Sequence, residues 1–392
     1  MNPLGELIAG RIHANGPISF AEFMDISLYH PEYGYYARAA QRTGRAGDFF
    51  TSVDVGPVFG ELLAKQFGDM FRLLTNLQSA ISDLQFPIPF DLVEAGAGNG
   101  RLSRDILDAA QRTDPDFYRA IRLALVERSP AARAAQTATL DGHAAHLHHR
   151  SAALPEHIHG VIFANELLDA LPTHAVAMTE NGLREVFFDY RDGRFVEYLD
   201  ELTTPRIAEY LSRAGASLGR GGWRAEVNLA AEDWMMAAAR ALKQGFLIII
   251  DYGHEESELY GASQAAGTLA TFRRHVSPAA PISGAVPAGW LQEPGTCDMT
   301  AHVDLSAVRR AAEREGLNLI ARLDQTYFLM GLGLDEIMAS PQGFETGALK
   351  RRLALKTLLL PGGLGSTHKV LVFGKDVGSP ALKCCSYRTR LT

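Results

Sequence analysis

The stretch Asp91-Leu92-Val93-Glu94-Ala95-Gly96-Ala97-Gly98-Asn99-Gly100-Arg101-Leu102 decides how this chain is read. An apolar strand end meets a carboxylate, then three alternate glycines, then the start of a helix. Glycines at such a junction let the backbone turn tightly and let a ligand approach it with no Cβ in the way. A dinucleotide fingerprint would place glycines at 96, 98 and 101, and position 101 is Arg. A charged Glu94 would also repel a pyrophosphate, because like charges close together in a cleft are costly at low effective dielectric. A ligand with an ammonium and a sulfonium, and no phosphate, suits this loop. That description is S-adenosylmethionine. The plain alternative is an ordinary strand-to-helix turn, since Gly makes up 37 of 392 residues.

The next apolar run, Ile121-Arg122-Leu123-Ala124-Leu125-Val126, reads as the following strand and stops at Glu127. In a doubly wound sheet this puts an acid at the carboxyl end of the second strand, beside the glycine loop. A carboxylate there can accept hydrogen bonds from both ribose hydroxyls. Otherwise Glu127 is a solvated strand-end charge or an acid preceding the helix signal Ser129-Pro130. The expected cofactor contacts are therefore Glu94, Gly96, Gly98, Gly100 and Glu127.

The chain is long enough for one large elaborated domain or one domain with a cap. Its 47% hydrophobic and 21% charged residues are ordinary for a globular protein. A net charge of −7 argues against broad binding to nucleic acid or to an anionic membrane. The three cysteines, Cys297 and the adjacent Cys384 and Cys385, do not form a disulfide framework or a zinc pattern and suit a reducing compartment. The N-terminus has no basic region followed by an apolar run, and the longest apolar run, about Phe246 to Ile250, is far too short to span a bilayer. The expectation is a cytosolic protein with no membrane insertion.

Strands are expected at 91–94, 121–126, 145–149, 160–164 and 246–250, with helices between several of them, an alternation that implies a parallel sheet. Upstream, Ser19 to Glu22 is a capping-box pattern before an apolar helical face, and Val58 to Leu73 reads as a helix. The aromatic stretch Leu28 to Tyr36 reads as a small core that packs the N-terminal segment onto the sheet. Leu183 to Tyr198, with a turn at Arg191-Asp192-Gly193, is a β-hairpin, and Ala230 to Lys243 is a strong helix. The Gly-, Pro- and Ala-rich stretch from Tyr252 to about Thr300 reads as a functional or disordered loop. Val303 to Glu315 is helical, Leu317 opens a strand, and His368 to Gly374 is the last one. The expected organisation is an N-terminal extension over 1–90 covering the active site, a core domain over 91–375 with an insertion at about 175–245, and a tail over 376–392.

A second acidic group follows the fourth strand in Asn165-Glu166-Leu167-Leu168-Asp169-Ala170-Leu171-Pro172. Residues just past a strand's carboxyl end face the ligand crevice of an open α/β sheet. Glu166 and Asp169 would share a face if the segment were helical. Methyl transfer needs a nucleophile held in line with the sulfonium methyl, about 3 Å away. A guanidinium is a poor nucleophile because its charge is delocalised, and a carboxylate pair can grip it and favour a lone pair on the attacking nitrogen. Glu166, Asn165 and Asp169 are the candidate catalytic residues. Asn165 also counts as a cofactor contact, since its amide could serve adenine, methionine or substrate. Glu166 could instead start a helix and complement its dipole. Asp251, ending the fifth strand, reads as a loop-fixing acid. The cluster His143, His146, His148, His149 alternates along a presumed strand with no supporting ligand, so no metal is expected.

Tyr35-Tyr36 followed by Gly47-Asp48-Phe49-Phe50-Thr51-Ser52, the loop Glu94 to Gly100, and Asn165 to Pro172 together resemble the MidA family. Ile250-Asp251-Tyr252-Gly253 and Gly267-Thr268-Leu269 fit it as well, so the resemblance runs from about residue 5 to 375. It implies an α/β fold of the class I methyltransferase type, a doubly wound sheet with an N-terminal extension and an inserted hairpin and helical cap. It implies S-adenosyl-L-methionine as cofactor. For mitochondrial members it implies arginine methylation of a subunit of respiratory complex I during assembly. By position, Asp48 to Ser52 becomes a lid or substrate wall over the cofactor, with Thr51 and Ser52 offering hydroxyls. Many relatives carry Pro and Arg where this chain has Ala97 and Asn99, and Glu where it has Asp54. The absence of a presequence fits a bacterial cytosol.

Four functions compete on these residues. The first is a protein arginine methyltransferase acting on a respiratory-complex subunit. The second keeps the fold and changes the substrate. The third is an assembly chaperone that holds cofactor without turnover. The fourth, a nicotinamide-dependent oxidoreductase, is disfavoured by Glu94 and Arg101.

Overall fold

Short apolar runs bounded by glycine and polar residues build the main sheet, and their order along the chain sets its topology. The computed structural model describes residues 1–39, 52–79, 89–216, 218–219, 221–272, 289–339, 355 and 364–387. Its strands are β1 (Ile18–Ser19), β2 (Phe90–Ala95), β3 (Ile121–Val126), β4 (Leu147–Ser151), β5 (Ile158–Asn165), β6 (His174–Thr179), β7 (Gly182–Arg191) and β8 (Arg194–Asp200). They continue with β9 (Arg224–Val227), β10 (Leu242–His254), β11 (Ala270–Phe272), β12 (Asp298–Thr300), β13 (Val303–Asp304), β14 (Asn318–Asp324) and β15 (His368–Lys375).

The large sheet has the order β14-β15-β10-β5-β2-β3-β4, with β13 joined to β10. From β10 to β4 the pairing is parallel, as the strand–helix alternation implies. The last strand departs from it: β15 runs antiparallel between β10 and β14. The run His368 to Gly374 is as apolar as a buried parallel strand, so its composition carries no sign of direction. The fold is that of class I methyltransferases.

Helices cover both faces. Val58–Ser79 and Arg101–Thr113 pack on one face, where Phe67 meets Phe163 at 5.0 Å between ring centroids. Leu229–Ala241 and Leu305–Arg314 pack on the other. The apolar stripes of these helices are what hold them to the sheet.

A smaller antiparallel sheet, β1-β7-β6-β9 with β8 on β7, contains the expected hairpin. The helix Phe20–Tyr29 packs here, where Phe20 and Phe23 meet Phe188 and Trp290 edge to face, while Tyr29 and Tyr36 of the aromatic stretch also reach the carboxyl edge of the main sheet. Half of the capping box forms: Ser19 Oγ accepts the Glu22 N–H at 3.3 Å, while the Glu22 carboxylate pairs with Arg11. The N-terminal ninety residues thus divide: the helices up to Ala39 join the small sheet, and Val58–Ser79 belongs to the main core.

Two local expectations change. The strand expected at 145–149 begins at Leu147, because Asp141–His146 forms a 3-10 turn that buries His143 between Tyr118 Oη and Asp108 Oδ1. The histidines therefore do not alternate along one strand. The stretch after Tyr252 carries its own elements, including β11, β12 and the helix Gly289–Gln292, while 273–288 lies outside the described residues. The tail packs on the main core: Leu382 and Cys384 are buried, and the Cys384 N–H donates to Gln66 Oε1 at 3.0 Å. Among the described residues no helix is long and apolar enough to cross a membrane.

Candidate active site

The glycine loop leaves β2 and folds back onto β3. Gly96 and Ala97 both donate to the carbonyl of Val126, at 2.9 and 3.1 Å. Gly96 has φ +71, and a Cβ there would stand 3.2 Å from Leu167 Cδ1. Only glycine meets both demands without strain. Gly98 has φ +50; its N–H points to Glu127 Oε2 at 2.9 Å and its carbonyl accepts from Gln136 Nε2 at 2.9 Å. Gly100 is the N-cap of the helix that follows.

Glu127 is held on both oxygens, since Oε1 accepts the Ser129 N–H at 2.7 Å. Two backbone donors fix its carboxylate at the end of β3, on the wall of a cavity of about 220 Å³. The same cavity is lined by Tyr29, Tyr36, Gly96, Glu166 and Trp234. The tyrosines come from the N-terminal helices. Tyr29 Oη donates to the Ala170 carbonyl at 3.0 Å, and the Arg128 guanidinium lies 4.4 Å from the Tyr29 ring centroid.

Glu94 sits elsewhere than the sequence implies. It is buried beneath the loop, accepts a hydrogen bond from Ser103 Oγ and does not line the cavity. Burial pushes its carboxyl up to about 8, with the charge of Glu127 adding to the rise. A neutral, covered Glu94 repels nothing, so the electrostatic argument against a pyrophosphate passes to Glu127. Gly98 and Gly100 shape the loop from behind the cavity wall, and Arg101 turns away from it, with Nη1 3.0 Å from Asp54 Oδ1 and Nη2 on the Val53 carbonyl.

The segment after β5 is not helical. Glu166 to Pro172 runs through bends and turns, because Asp251 Oδ2 accepts the N–H groups of Leu167 and Leu168 at 3.1 and 2.7 Å. Asp251 is indeed the acid that fixes this loop. Glu166 takes a left-handed backbone, φ +51, anchored by its N–H on the Ile250 carbonyl at 2.8 Å. Such a conformation is costly for a residue with a Cβ and persists where surroundings impose it. Glu166 and Asp169 consequently do not share a helical face, and Glu166 starts no helix.

Glu166 Oε1 is approached by three nitrogens, each at 3.3 Å: the Ser52 N–H, Asn165 Nδ2 and His368 Nε2. Its Oε2 has no hydrogen bond among the described residues, and the side chain borders the cavity. Asn165 Oδ1 and Asp169 Oδ1 are buried acceptors without a hydrogen-bond partner among the described residues. Burial first, then the acids Asp251, Glu166 and Asp298, raises the Asp169 carboxyl well above the usual carboxylate range. Asp169 stands behind the cavity wall, and its neighbour Ala170 forms it. Ser52 is buried, its hydroxyl paired with Gln325, so it supports Glu166 and does not line the cavity. Thr51 and the Asp48 to Phe50 lid lie outside the described residues.

No motif marks Tyr29 and Tyr36 as cavity walls, or His368, Gln325 and Trp234 as site residues. Trp234 was visible only as part of a helix face, and His368 only as the first residue of a strand.

An S-adenosyl ligand fits this donor set. A glycine turn, a strand-end carboxylate and apolar walls from Val126, Ala152 and Trp234 enclose the cavity. The chain belongs to a family of S-adenosyl-L-methionine-dependent methyltransferases, which matches residues 62–322. Among its relatives, the mitochondrial protein arginine methyltransferase NDUFAF7 homolog of Drosophila melanogaster is 27% identical over 357 residues, covering 83% of this chain and 74% of the relative. The mitochondrial protein arginine methyltransferase NDUFAF7 of Homo sapiens is 28% identical over 362 residues, covering 86% and 74%. A Burkholderia thailandensis protein crystallised with S-adenosyl-homocysteine superposes with a TM-score of 0.83 at 28% identity, covering 98% of this chain and 94% of that one. The cofactor of this MidA-like methyltransferase is S-adenosyl-L-methionine.

Proposed function

We propose that the protein methylates a guanidinium nitrogen of an arginine side chain in a protein substrate, with a respiratory complex I subunit as the target. The observation that carries this reading is Glu166. Two N–H donors, Ser52 and the Asn165 amide, hold one carboxylate oxygen, with His368 Nε2 a further 3.3 Å contact, and the side chain borders the cavity. A fixed carboxylate bordering a cofactor cavity calls for a cationic ligand rich in N–H donors. A guanidinium has five such donors and no acceptor. The names of the mitochondrial relatives support the same substrate class.

S-adenosylmethionine supplies an electrophilic methyl group when bound. Glu127 would hold the cofactor's ribose, and the glycine turn would let the cofactor approach the backbone. Glu166 Oε2 accepts an N–H of the substrate guanidinium, fixes its plane and draws positive charge toward the nitrogen it binds. The lone pair on the attacking nitrogen would then take the methyl as the carbon–sulfur bond breaks, with S-adenosylhomocysteine as the leaving product. Glu166 also stands where the proton released on transfer can be received. Tyr29, Tyr36 and Trp234 keep water out.

The test uses a strain lacking the gene. Its lysate is incubated with the purified protein and methyl-labelled S-adenosylmethionine, then hydrolysed and examined for methylated arginine. Label in methylarginine of a single protein band, absent with the Glu166→Gln variant, supports the reading. Label in another residue or in a small molecule sinks it.

A further inference from the structure

We infer that His368 is the positioning residue for Glu166, holding one carboxylate oxygen so that the other faces the methyl acceptor. This rests on the arginine reading above and deepens it.

His368 opens β15. Because β15 is antiparallel, its first residue lies beside the carboxyl end of β10, where Tyr252 is its cross-strand partner. The ring is completely buried. It packs on Tyr252 with 3.9 Å between ring centroids and 43° between planes. Nδ1 stands 3.4 Å from Thr367 Oγ1, and Nε2 stands 3.3 Å from Glu166 Oε1. A Thr367 hydroxyl that donates to Nδ1 leaves the ring proton on Nε2, the nitrogen in ion-pair contact with Glu166 but out of line for a full hydrogen bond.

Asp251, which also feels the His368 charge, is already fixed by the backbone N–H groups of Leu167, Leu168 and Tyr252. Glu166 has weaker company: one backbone N–H, from Ser52, and the Asn165 amide, both at 3.3 Å. Its left-handed backbone fixes where the side chain leaves the chain, not how the carboxylate turns. The His368 ring, immobilised by Tyr252, supplies that second constraint from a different strand.

Three variants separate this role from simple packing. His368→Gln places an amide N–H near the position of Nε2, His368→Asn places it near Nδ1, and His368→Phe keeps the ring on Tyr252 without any N–H. Each is assayed for label transfer into methylarginine with the lysate described above, and for S-adenosylhomocysteine affinity by calorimetry. The expected result is a fall in kcat of about 10²-fold for Phe and Asn, the scale of a misplaced catalytic group. Gln retains most of the activity, and S-adenosylhomocysteine affinity and KM for S-adenosylmethionine stay at wild-type values in all three. Equal activity of Gln, Asn and Phe overturns the inference, whether all are active or all inactive. Glu166→Gln runs beside them. If it keeps activity, the arginine reading itself fails. If it is inactive while His368→Phe is fully active, only the role of His368 fails.

Discussion

Glu127 Oε2 accepts the Gly98 N–H at 2.9 Å, so the acid at the end of β3 and the loop at the end of β2 are one rigid unit. The carboxylate does two jobs in this geometry. It closes the glycine turn from outside, and it presents its remaining lone pairs to the cavity.

Removing it should therefore act on both. Glu127→Ala is expected to weaken S-adenosylhomocysteine binding by about 1–3 kcal/mol, the cost of losing charge-assisted hydrogen bonds. Calorimetry on the purified variant gives the number, and unchanged affinity would remove Glu127 from the ribose role.

Trp234 walls the cavity from the helix Leu229–Ala241, so its indole should report occupancy. Titration with S-adenosylhomocysteine is expected to change the intrinsic fluorescence of the wild-type protein, and Trp234→Phe should remove most of that change. The same variant should bind about 1 kcal/mol more weakly through lost aromatic contact. A full fluorescence response in the variant would place the ligand away from this wall.

Glu94 makes a prediction about pH. Its folded carboxyl titrates at about 8 against an ordinary value of 4.5, because it is buried. Between those values the folded state holds a proton that the unfolded state has lost, so stability falls as pH rises through the window and levels off above it. Glu94→Gln, neutral throughout, should lack this decline. Melting temperatures from pH 5 to pH 8 are thus expected to drop more in the wild type than in the variant, and parallel curves would show that Glu94 is ionised in the folded protein.

Asp169 should behave as a buried neutral acid and not as a charged clamp. Asp169→Asn, which keeps shape and neutrality, is expected to retain methyl transfer and cofactor affinity. Asp169→Ala should cost about 1–3 kcal/mol of stability through unmatched packing and polar groups, read as a lower melting temperature. An Asp169→Asn variant that folds and binds cofactor but transfers no methyl group would restore Asp169 to the chemistry.

Arg101 links the start of its helix to the turn Ser52–Val55 through Asp54 and the Val53 carbonyl. That turn delivers the Ser52 N–H to Glu166. Arg101→Ala should lower stability by no more than about 1 kcal/mol, since both charges are partly solvated. Its larger effect should be on kcat, with S-adenosylhomocysteine affinity retained; a loss of affinity alone would mean that Arg101 serves the cofactor.

By itself the sequence determined the features that depend on near neighbours. Periodicity and punctuation placed β2, β3, β5 and β10 within a few residues, because apolar runs and the glycines that end them act locally. Knowing the strand ends was enough to bring Gly96, Glu127 and Glu166 to one crevice, since every parallel strand of an open sheet delivers its last residue to the same edge. Tertiary structure decided the rest, for reasons no short stretch contains. The burial that neutralises Glu94 comes from the helix packed over it. The turn that sets Glu166 apart from Asp169 comes from Asp251 on another strand. His368 reaches Glu166 only because β15 runs antiparallel, and Tyr29 reaches the cavity only because the N-terminal helices pack on a second sheet. Strand direction and contacts between distant segments follow from how the whole chain crosses itself, and apolar composition is blind to both.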